Sequence, residues 1–322
     1  MAHDTSSRAP AGRAPVGRPP LPTAARARTG TARRALGLVW VLPALVVLAV
    51  FVYLPLVQNL GFSFLRWDIF SGTFSFAGGD NYRKMAGDPV FWRSLRNNIA
   101  YAVVSVVVQV FGALLLAALV ESLRSDRWRR ALRAVYFIPS AISITVAGLL
   151  FYFLYEPNLG LLNAALGGLG LDGLEHAWLG DSGTAVYAVI AMSQWQGFGY
   201  STLLFALAIQ RIPPEIMEAA ALDGVGPVRR FLQITAPLVG EMTSLMVIVT
   251  ISGAFQVFNE VMVMTSGGPD NSSQVLGTWL YQSGFVQNDF GYAAAIAVVV
   301  FFVTFLVALA QLALGRRRRV EW

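Results

Sequence analysis

The chain has 322 residues, of which 56% are hydrophobic and only 13% are charged. Soluble domains carry about 25% charged residues, so this composition excludes a soluble globular protein. The absence of cysteine excludes disulfide-rich scaffolds and cysteine-ligated metal sites. The composition therefore predicts an integral membrane protein.

The first 92 residues divide into three predicted segments. Residues 1–34 contain seven arginines without apolar periodicity, which predicts a disordered basic arm. Residues 35–60 form an uncharged run that is longer than a signal-peptide core of roughly 7–15 residues, so they predict the first transmembrane helix. Residues 61–92 are then expected to form an external loop.

Residues 93–314 predict a core of five further transmembrane helices. A helix needs about 20 apolar residues to cross the hydrocarbon region of a bilayer. Uncharged or nearly uncharged runs place these helices at about 99–120, 135–155, 185–209, 241–264 and 291–314. The run within 241–264 is short, and it becomes a full span only if Glu241 and Glu260 lie near the two interfaces. We therefore expect an all-α protein with six spans, a long loop at 210–238 and a basic tail at 315–322.

The distribution of the cations predicts the orientation. The arm, residues 121–134, residues 210–241 and the tail hold 19 of the 24 Lys and Arg residues, whereas residues 156–184 and 265–290 hold none. Cytoplasmic segments of membrane proteins are enriched in Lys and Arg, so both termini are expected in the cytoplasm. Because the cations are split among four short segments, we expect the lipid bilayer, and not a nucleic acid, as their partner.

Several kinds of catalytic site are excluded. The only histidines are His3 and His176, so neither a histidine metal cluster nor a His-based triad is expected. The only lysine, Lys84, does not lie in the G-x-x-x-x-G-K-[ST] loop that binds nucleotide phosphates. We predict no catalytic residue, no metal and no cofactor, and interpret the chain as a transport subunit that is passive or driven by a partner.

The loop at 210–238 is larger than a linker requires. Pro213 and Pro214 suit a helix start, Asp223-Gly224 ends that helix, and Pro227 opens a second one. The pattern predicts a helix–turn–helix on the cytoplasmic face. It is also compatible with an amphipathic elbow in the membrane interface, although the small and polar residues favour a protein groove over lipid headgroups.

The same loop resembles the EAA loop of ATP-binding-cassette (ABC) importer permeases, which reads E-A-A, three residues, G, nine residues, I-x-L-P. The matching residues are Glu218, Ala219, Ala220, Asp223, Gly224, Ile234 and Pro237. The departure is Ala236, where the family usually has leucine. Further resemblances to the carbohydrate-type permeases occur at residues 42–44, 80–82, 137–139, 158–163, 212–213 and 265–269.

This resemblance implies a type I ABC importer fold and a set of partners. Such a permease pairs with a second permease, two ATPase subunits and an external solute-binding protein in the plasma membrane. The EAA loop would dock on the ATPase, with Glu218 against a basic group and Gly224 in the tight turn. The excess of arginine over lysine indicates a GC-rich coding sequence and hence a bacterial source.

The solute and its path are open at this point. A sugar is the favoured solute, and the alternatives are a glycerol-phosphate ester, an amino acid or an anion; a secondary transporter or a membrane-anchored receptor is a further alternative. Polar groups within or near the spans are candidates for the solute path. They are Gln194, Trp195 and Gln196 in the fourth span, and Gln256, Asn259 and Glu260, expected on one helical face, in the fifth. The same side chains would also serve to bond neighbouring helices.

Overall fold

The structure, a computed structural model, describes residues 40–68 and 72–315. The predicted arm (1–34), the start of the predicted first helix (35–39) and residues 316–322 of the predicted tail lie outside the described residues. The chain forms two compact units, Met1–Leu56 and Val57–Trp322. The described part of the first unit belongs to helix α1 (Trp40–Phe62), and its apolar side chains are exposed on all sides. A helix that is apolar all round needs an apolar environment such as a bilayer.

The second unit is almost entirely helical. Its elements in chain order are β1 (Leu65–Asp68), β2 (Thr73–Phe76), α2 (Asp80–Gly87), α3 (Pro89–Glu121), α4 (Asp126–Ala141), α5 (Ile144–Leu154), α6 (Leu161–Gly168), α7 (Ala185–Ile209), α8 (Pro214–Leu222), α9 (Pro227–Leu238), α10 (Gly240–Phe255), α11 (Asn259–Met264), α12 (Leu276–Tyr281) and α13 (Phe290–Gly315). Strands β1 and β2 pair antiparallel, with Arg66 opposite Ser75. This hairpin lies in the predicted external loop, where the sequence analysis expected no strand.

Two predicted helices are bent or broken. The segment predicted at 135–155 is divided between α4 and α5, which meet at 93°. Pro139 lies in the 3₁₀ turn at this bend, and proline disrupts a regular helix because it has no N–H to donate. The helix predicted at 241–264 is also not continuous, since α10 ends at Phe255 and α11 begins at Asn259.

Two apolar clusters form the core of the second unit. One includes Tyr101 of α3, Met192 of α7 and Tyr292 of α13, all at most 2% exposed. The other lies further along α3 and α7 and includes Ala117 and Phe205, which are fully buried. Small residues at such helix contacts let the backbones approach closely.

Helix α7 packs directly on the bend between α4 and α5. A Cβ atom added to Gly199 would lie 1.9 Å from the carbonyl oxygen of Tyr136, so only glycine fits there. The Ser140 hydroxyl donates to the Gln196 carbonyl at 2.7 Å and accepts from the Tyr200 N–H at 3.0 Å. These contacts fix the bend against the middle of α7.

Three helices of the described part are long and apolar enough to cross a membrane, namely Trp40–Phe62, Pro89–Glu121 and Phe290–Ala310. The number is five if each of the bent pairs α4–α5 and α9–α10 forms one span. Helix α7 has 25 residues without a charged side chain, but it contains several polar ones. About half of its residues are buried, so these polar groups meet other helices and do not need to face lipid.

Candidate functional site

The loop at 210–238 folds as two short helices, and α9 together with the residues before α8 packs on the second apolar cluster. Pro214 occupies the first turn of α8, where its missing N–H has no helical partner to lose, and Glu215 lies near the positive end of the helix. Ile212 and Phe231 pack against the cluster formed by α3 and α7. The loop is therefore anchored to the bundle just before α8 and within α9.

A glycine turn joins α8 to α9. Gly224 has φ +70°; its N–H donates to the Ala221 carbonyl at 3.2 Å, and the Val225 N–H donates to the Ala220 carbonyl at 3.0 Å. These two bonds form a Schellman motif, which satisfies the free carbonyls at the end of a helix. A Cβ atom at Gly224 would meet nothing within 4 Å, so the need for glycine arises from the backbone angle and not from crowding.

The outer surface of the loop is exposed and partly apolar. Glu218 and Leu222 are one helical turn apart on α8, and both are exposed, Leu222 to 90%. Val228 and Leu232 on α9 are exposed to 70% and 60%. Glu218 forms no salt bridge with any residue that the structure describes. A free carboxylate next to exposed apolar side chains has the chemistry of a protein-binding surface.

The residues of the predicted EAA loop divide between this surface and its base. Glu218, Ala219, Asp223, Gly224 and Pro237 are exposed, whereas Ala220 is buried and Ile234 is half-buried. Leu222 was missed by the sequence analysis, because the pattern of α8 does not reveal which of its apolar residues the rest of the protein leaves uncovered.

A buried carboxylate links three helices beside this loop. Glu121, at the end of α3, has a side chain only 7% exposed. It accepts hydrogen bonds from Arg133 Nε of α4 at 3.1 Å and from Gln210 Nε2, directly after α7, at 3.3 Å. We call these three residues the Glu121 junction. The sequence analysis did not identify it, although Glu121 is the charge that closes the uncharged run of α3.

The first group of predicted solute-path residues is largely engaged within the bundle. Gln194 is buried; its Oε1 accepts from Gln109 Nε2 at 2.9 Å, and its Nε2 donates to Ser105 Oγ at 3.1 Å. Gln196 Nε2 donates to the Ile142 carbonyl at 3.1 Å. Trp195 is 40% exposed, and its ring lies 5.1 Å from that of Phe151 between centroids.

The second group lies at the break between α10 and α11. Gln256 follows the last residue of α10 and Asn259 is the first residue of α11, so the expected single helical face is not present. Gln256 and Asn259 are exposed, and Glu260 is partly buried. The Ser193 hydroxyl donates to Glu260 Oε1 at 3.4 Å. Because Ser193 precedes Gln194 on α7, the structure brings the two predicted groups together at this contact.

Asn98 of α3 holds the break in place. It is fully buried; its Nδ2 donates to the Ala254 carbonyl at 2.7 Å, and its Oδ1 accepts the Leu276 N–H at 2.8 Å. These bonds satisfy one backbone group near the end of α10 and one at the start of α12, which buried backbone groups require. The sequence offers no helical signal for this role, because a lone asparagine in a span does not show which backbone it will meet.

A tight turn follows α5 on the side predicted to be external. Glu156 accepts hydrogen bonds from the backbone N–H groups of Leu159 and Asn158, the latter at 2.8 Å. The bond from Leu159 is the main reason why the pKa of Glu156 is lowered from its usual range. This turn accounts for part of the resemblance noted at residues 158–163. Within residues 40–68 and 72–315, no group of three or more His, Asp or Glu side chains is placed to hold a metal ion.

Comparison with known proteins identifies the family. The family described as "binding-protein-dependent transport system inner membrane component" matches residues 109–320. The probable ABC transporter permease protein YurN of Bacillus subtilis (strain 168) is 47% identical over 273 residues, which cover 85% of this chain and 93% of the relative. The diacetylchitobiose uptake system permease protein NgcF of Streptomyces coelicolor is 34% identical over 273 residues, which cover 82% of this chain and 77% of the relative.

A solved structure supports the same fold. A chain from a bacterial ABC transporter involved in the import of the acidic polysaccharide alginate superimposes with a TM-score of 0.77 at 21% identity, over 89% of this chain and 96% of that one. The predicted type I importer permease fold is thereby confirmed, and the family match and the permease relatives confirm the predicted transport subunit. The chain belongs to the binding-protein-dependent inner membrane components and is an ABC importer permease.

Proposed function

We propose that this permease forms, with a second permease, the path by which a sugar or related solute enters a bacterial cell. An external solute-binding protein would deliver the solute, and two separate ATPase subunits would supply the energy. The uptake system of NgcF supports a carbohydrate solute. The observation that carries the proposal is the anchored helix–turn–helix at 210–238, whose exposed Glu218 and Leu222 form a surface suited to a protein partner.

Uptake measurements test the solute. Radiolabelled sugars, together with a glycerol-phosphate ester, would be offered to a strain deleted for this gene and to the same strain carrying the gene on a plasmid. We expect the deletion to abolish uptake of one carbohydrate, and vanadate to inhibit that uptake in the complemented strain. Loss of glycerol-phosphate uptake alone would assign the alternative solute. Uptake insensitive to vanadate would indicate a secondary transporter.

We propose six spans with both termini in the cytoplasm. The six would be α1, α3, the bent pair α4–α5, α7, the bent pair α9–α10 and α13. The test uses alkaline phosphatase fusions, which are active only outside the cytoplasm. We expect fusions within 156–184 to be active, and fusions within 121–134 or after Arg319 to be inactive. The reverse pattern would overturn the topology.

The ATPase-docking role of the loop is tested by two variants. Glu218→Lys reverses the charge of the exposed surface, and Gly224→Asp places a charged side chain at φ +70°, in the left-handed region that favours glycine. We expect both proteins to reach the membrane while ATP-driven uptake is lost. Wild-type uptake in both variants, or the absence of both from the membrane, would contradict the docking role.

Gly226→Ala is a matched control for the turn. Gly226 lies two residues away and also has open space around its Cβ position, but its φ is −65°. Alanine adopts this conformation without strain, and the residue precedes a proline, which favours the same extended backbone. Uptake should therefore be retained in Gly226→Ala. Equal losses in Gly226→Ala and Gly224→Asp would show that any side chain on this surface is harmful and that the turn geometry is not the cause.

We propose that the contact between Ser193 and Glu260 borders the solute path. Asn259 and Glu260 are the preferred contributors, because a carboxylate is costly to keep at membrane depth without a role, while Gln194 is already bonded by its neighbours. The test is Glu260→Gln and Asn259→Ala, with uptake affinity measured beside basal ATPase activity. We expect weaker uptake affinity with little change in basal ATPase activity. Unchanged affinity and rate in both variants would place the solute on the partner permease.

A further inference from the structure

Helix α4 has an apolar stripe that the rest of the described protein leaves partly exposed. Trp128, Leu132 and Val135 follow helical spacing and are exposed to 65%, 38% and 65%. Helix α4 has no buried residue between Asp126 and Phe137. The stripe cannot be explained as part of the core, because the side of α4 that faces the bundle is occupied by Arg129 and Arg133, which pair with Glu121.

A third side of the same helix is cationic. At 100° per residue, Arg127 and Arg130 point away from both the apolar stripe and the Glu121 junction. Neither forms a salt bridge with a residue in the described ranges 40–68 and 72–315. Residues 121–134 contain five arginines and only two carboxylates, Glu121 and Asp126, and both carboxylates pair with Arg129 or Arg133. The outward charge of α4 is therefore uncompensated and positive.

The angle between α4 and α5 sets the direction of this helix relative to the membrane. The two helices meet at 93° with only two residues between them, and α5 is apolar, with exposed side chains such as Phe153 at 69%. If α5 crosses the membrane and α4 forms the cytoplasmic end of the same span, the bend turns α4 towards the plane of the membrane surface. An apolar stripe on one side and arginines on another is the arrangement of helices that rest in the headgroup layer.

We propose that α4 is an interfacial helix that binds acidic phospholipids of the cytoplasmic leaflet. Trp128, Leu132 and Val135 enter the boundary between headgroups and acyl chains, and Arg127 and Arg130 bind the anionic headgroups. Charge complementarity favours this occupant, since a zwitterionic lipid balances its phosphate with its own cation and would leave the charge of the two guanidinium groups uncompensated. The inference rests on the membrane placement in the proposed function. Helix α4 contacts α3 and α7 through the Glu121 junction and α7 also at Gly199, so lipid bound to α4 would be connected to both helices.

The test measures lipid selectivity at Trp128 in the complete importer. The importer is reconstituted in nanodiscs that contain brominated phosphatidylcholine or brominated phosphatidylglycerol at equal mole fractions. Brominated chains quench nearby tryptophans, and the signal of Trp128 is the difference between the wild type and Trp128→Phe. We expect quenching by both lipids, with a preference for phosphatidylglycerol of about fivefold per arginine. In Arg127→Gln/Arg130→Gln the preference should fall to near unity while quenching by phosphatidylcholine persists.

Arg83→Gln is the control for the loss of an exposed arginine elsewhere in the protein. Arg83 is exposed in the segment proposed to be external, so its loss should leave the preference unchanged. Absence of quenching by either lipid would mean that the stripe faces water or the ATPase, and would overturn the proposal. Equal quenching by both lipids in the wild type, or a preference that survives in Arg127→Gln/Arg130→Gln, would overturn headgroup binding. Both leaflets of the nanodisc have the same composition, so this result does not depend on the orientation tested by the phosphatase fusions.

Discussion

Replacing Asn98 with alanine should destabilise the protein more than any comparable change near the break between α10 and α11. The variant leaves the Ala254 carbonyl and the Leu276 N–H without their side-chain partner at a site that is fully buried. A buried polar group left unsatisfied costs about 1–3 kcal/mol, so two such groups give ~2–6 kcal/mol. For domains of about 150–250 residues, 1 kcal/mol lowers the Tm by roughly 2–4 °C, and on this scale we expect a decrease of roughly 4–24 °C.

The assay is thermal unfolding of the purified importer in detergent, followed by tryptophan fluorescence. Trp279 is buried three residues after Leu276 and reports on the same region. Asn259→Ala is the control, because Asn259 is an exposed asparagine close to the same break. Its loss should change stability by no more than about 0.5 kcal/mol. The two variants thus differ in burial and hydrogen bonding but not in the chemistry of the deleted group.

A second variant separates the two bonds of Asn98. Asn98→Asp keeps an acceptor for the Leu276 N–H, but it cannot donate to the Ala254 carbonyl when ionised, and it buries a carboxylate. We expect it to be at least as destabilised as Asn98→Ala. The reasoning is refuted if the Tm of Asn98→Ala lies within about 2 °C of the wild type. It is also refuted if the Tm of Asn259→Ala decreases as much as that of Asn98→Ala, since the two bonds would then not hold the break.

Three further changes probe other contacts. Gly199→Val should lower the free energy of unfolding by about 1–3 kcal/mol, because its Cβ meets the Tyr136 carbonyl, and gel filtration should show a lower yield of monodisperse protein. Gly240→Ala, with open space at its Cβ, should leave that yield unchanged. Arg133→Ala should cost about 1–3 kcal/mol by leaving Glu121 without its main partner, whereas Arg127→Ala should leave the Tm unchanged. The pKa of Glu156 is lowered, so its turn should be most stable above the usual glutamate pKa. As the pH falls through the pKa of Glu156 in the folded state, the turn should lose protection from hydrogen exchange. Glu156→Gln should remove this pH dependence.

The sequence predicts those features that depend on local chemistry. The left-handed turn at Gly224 follows from an Asp-Gly pair between two prolines, and the structure has φ +70° there. The long helices α3, α7 and α13 follow from uncharged runs long enough to cross a bilayer. In each case the residues that determine the feature lie within one or two turns of one another.

The features that the sequence does not predict depend on distant partners. The break after Phe255 forms inside an uncharged run, and its backbone groups are satisfied by Asn98, more than 150 residues earlier in the chain. The bend between α4 and α5 contains Pro139, but proline alone does not fix an angle of 93°, which depends on the contact of Tyr136 with Gly199. Likewise, helical periodicity groups Trp128, Leu132 and Val135 but does not reveal that the bundle leaves them uncovered.

Helix α7 gives the most direct mechanical connection between the loop at 210–238 and the proposed solute path. Its C-terminal end is followed by Gln210 in the Glu121 junction, and Ser193 lies 17 residues before Gln210, or about 26 Å at 1.5 Å per residue. The other route from the loop runs through α9 and α10, which meet at 72°, and α10 stops at Phe255 before the path is reached.

A continuous helix transmits displacement better than a bent and broken pair, because each bend absorbs motion by local rotation of the backbone. Movement of the loop would therefore reach Glu260 through Ser193, and the bonds of Gln194 to Gln109 and Ser105 determine whether α3 moves with α7. Gln194→Leu removes both bonds while keeping an uncharged side chain of similar size. If α3 must move with α7, this variant should retain ATP hydrolysis but transport less solute per ATP; an unchanged ratio of transport to hydrolysis would show that α7 moves independently of α3.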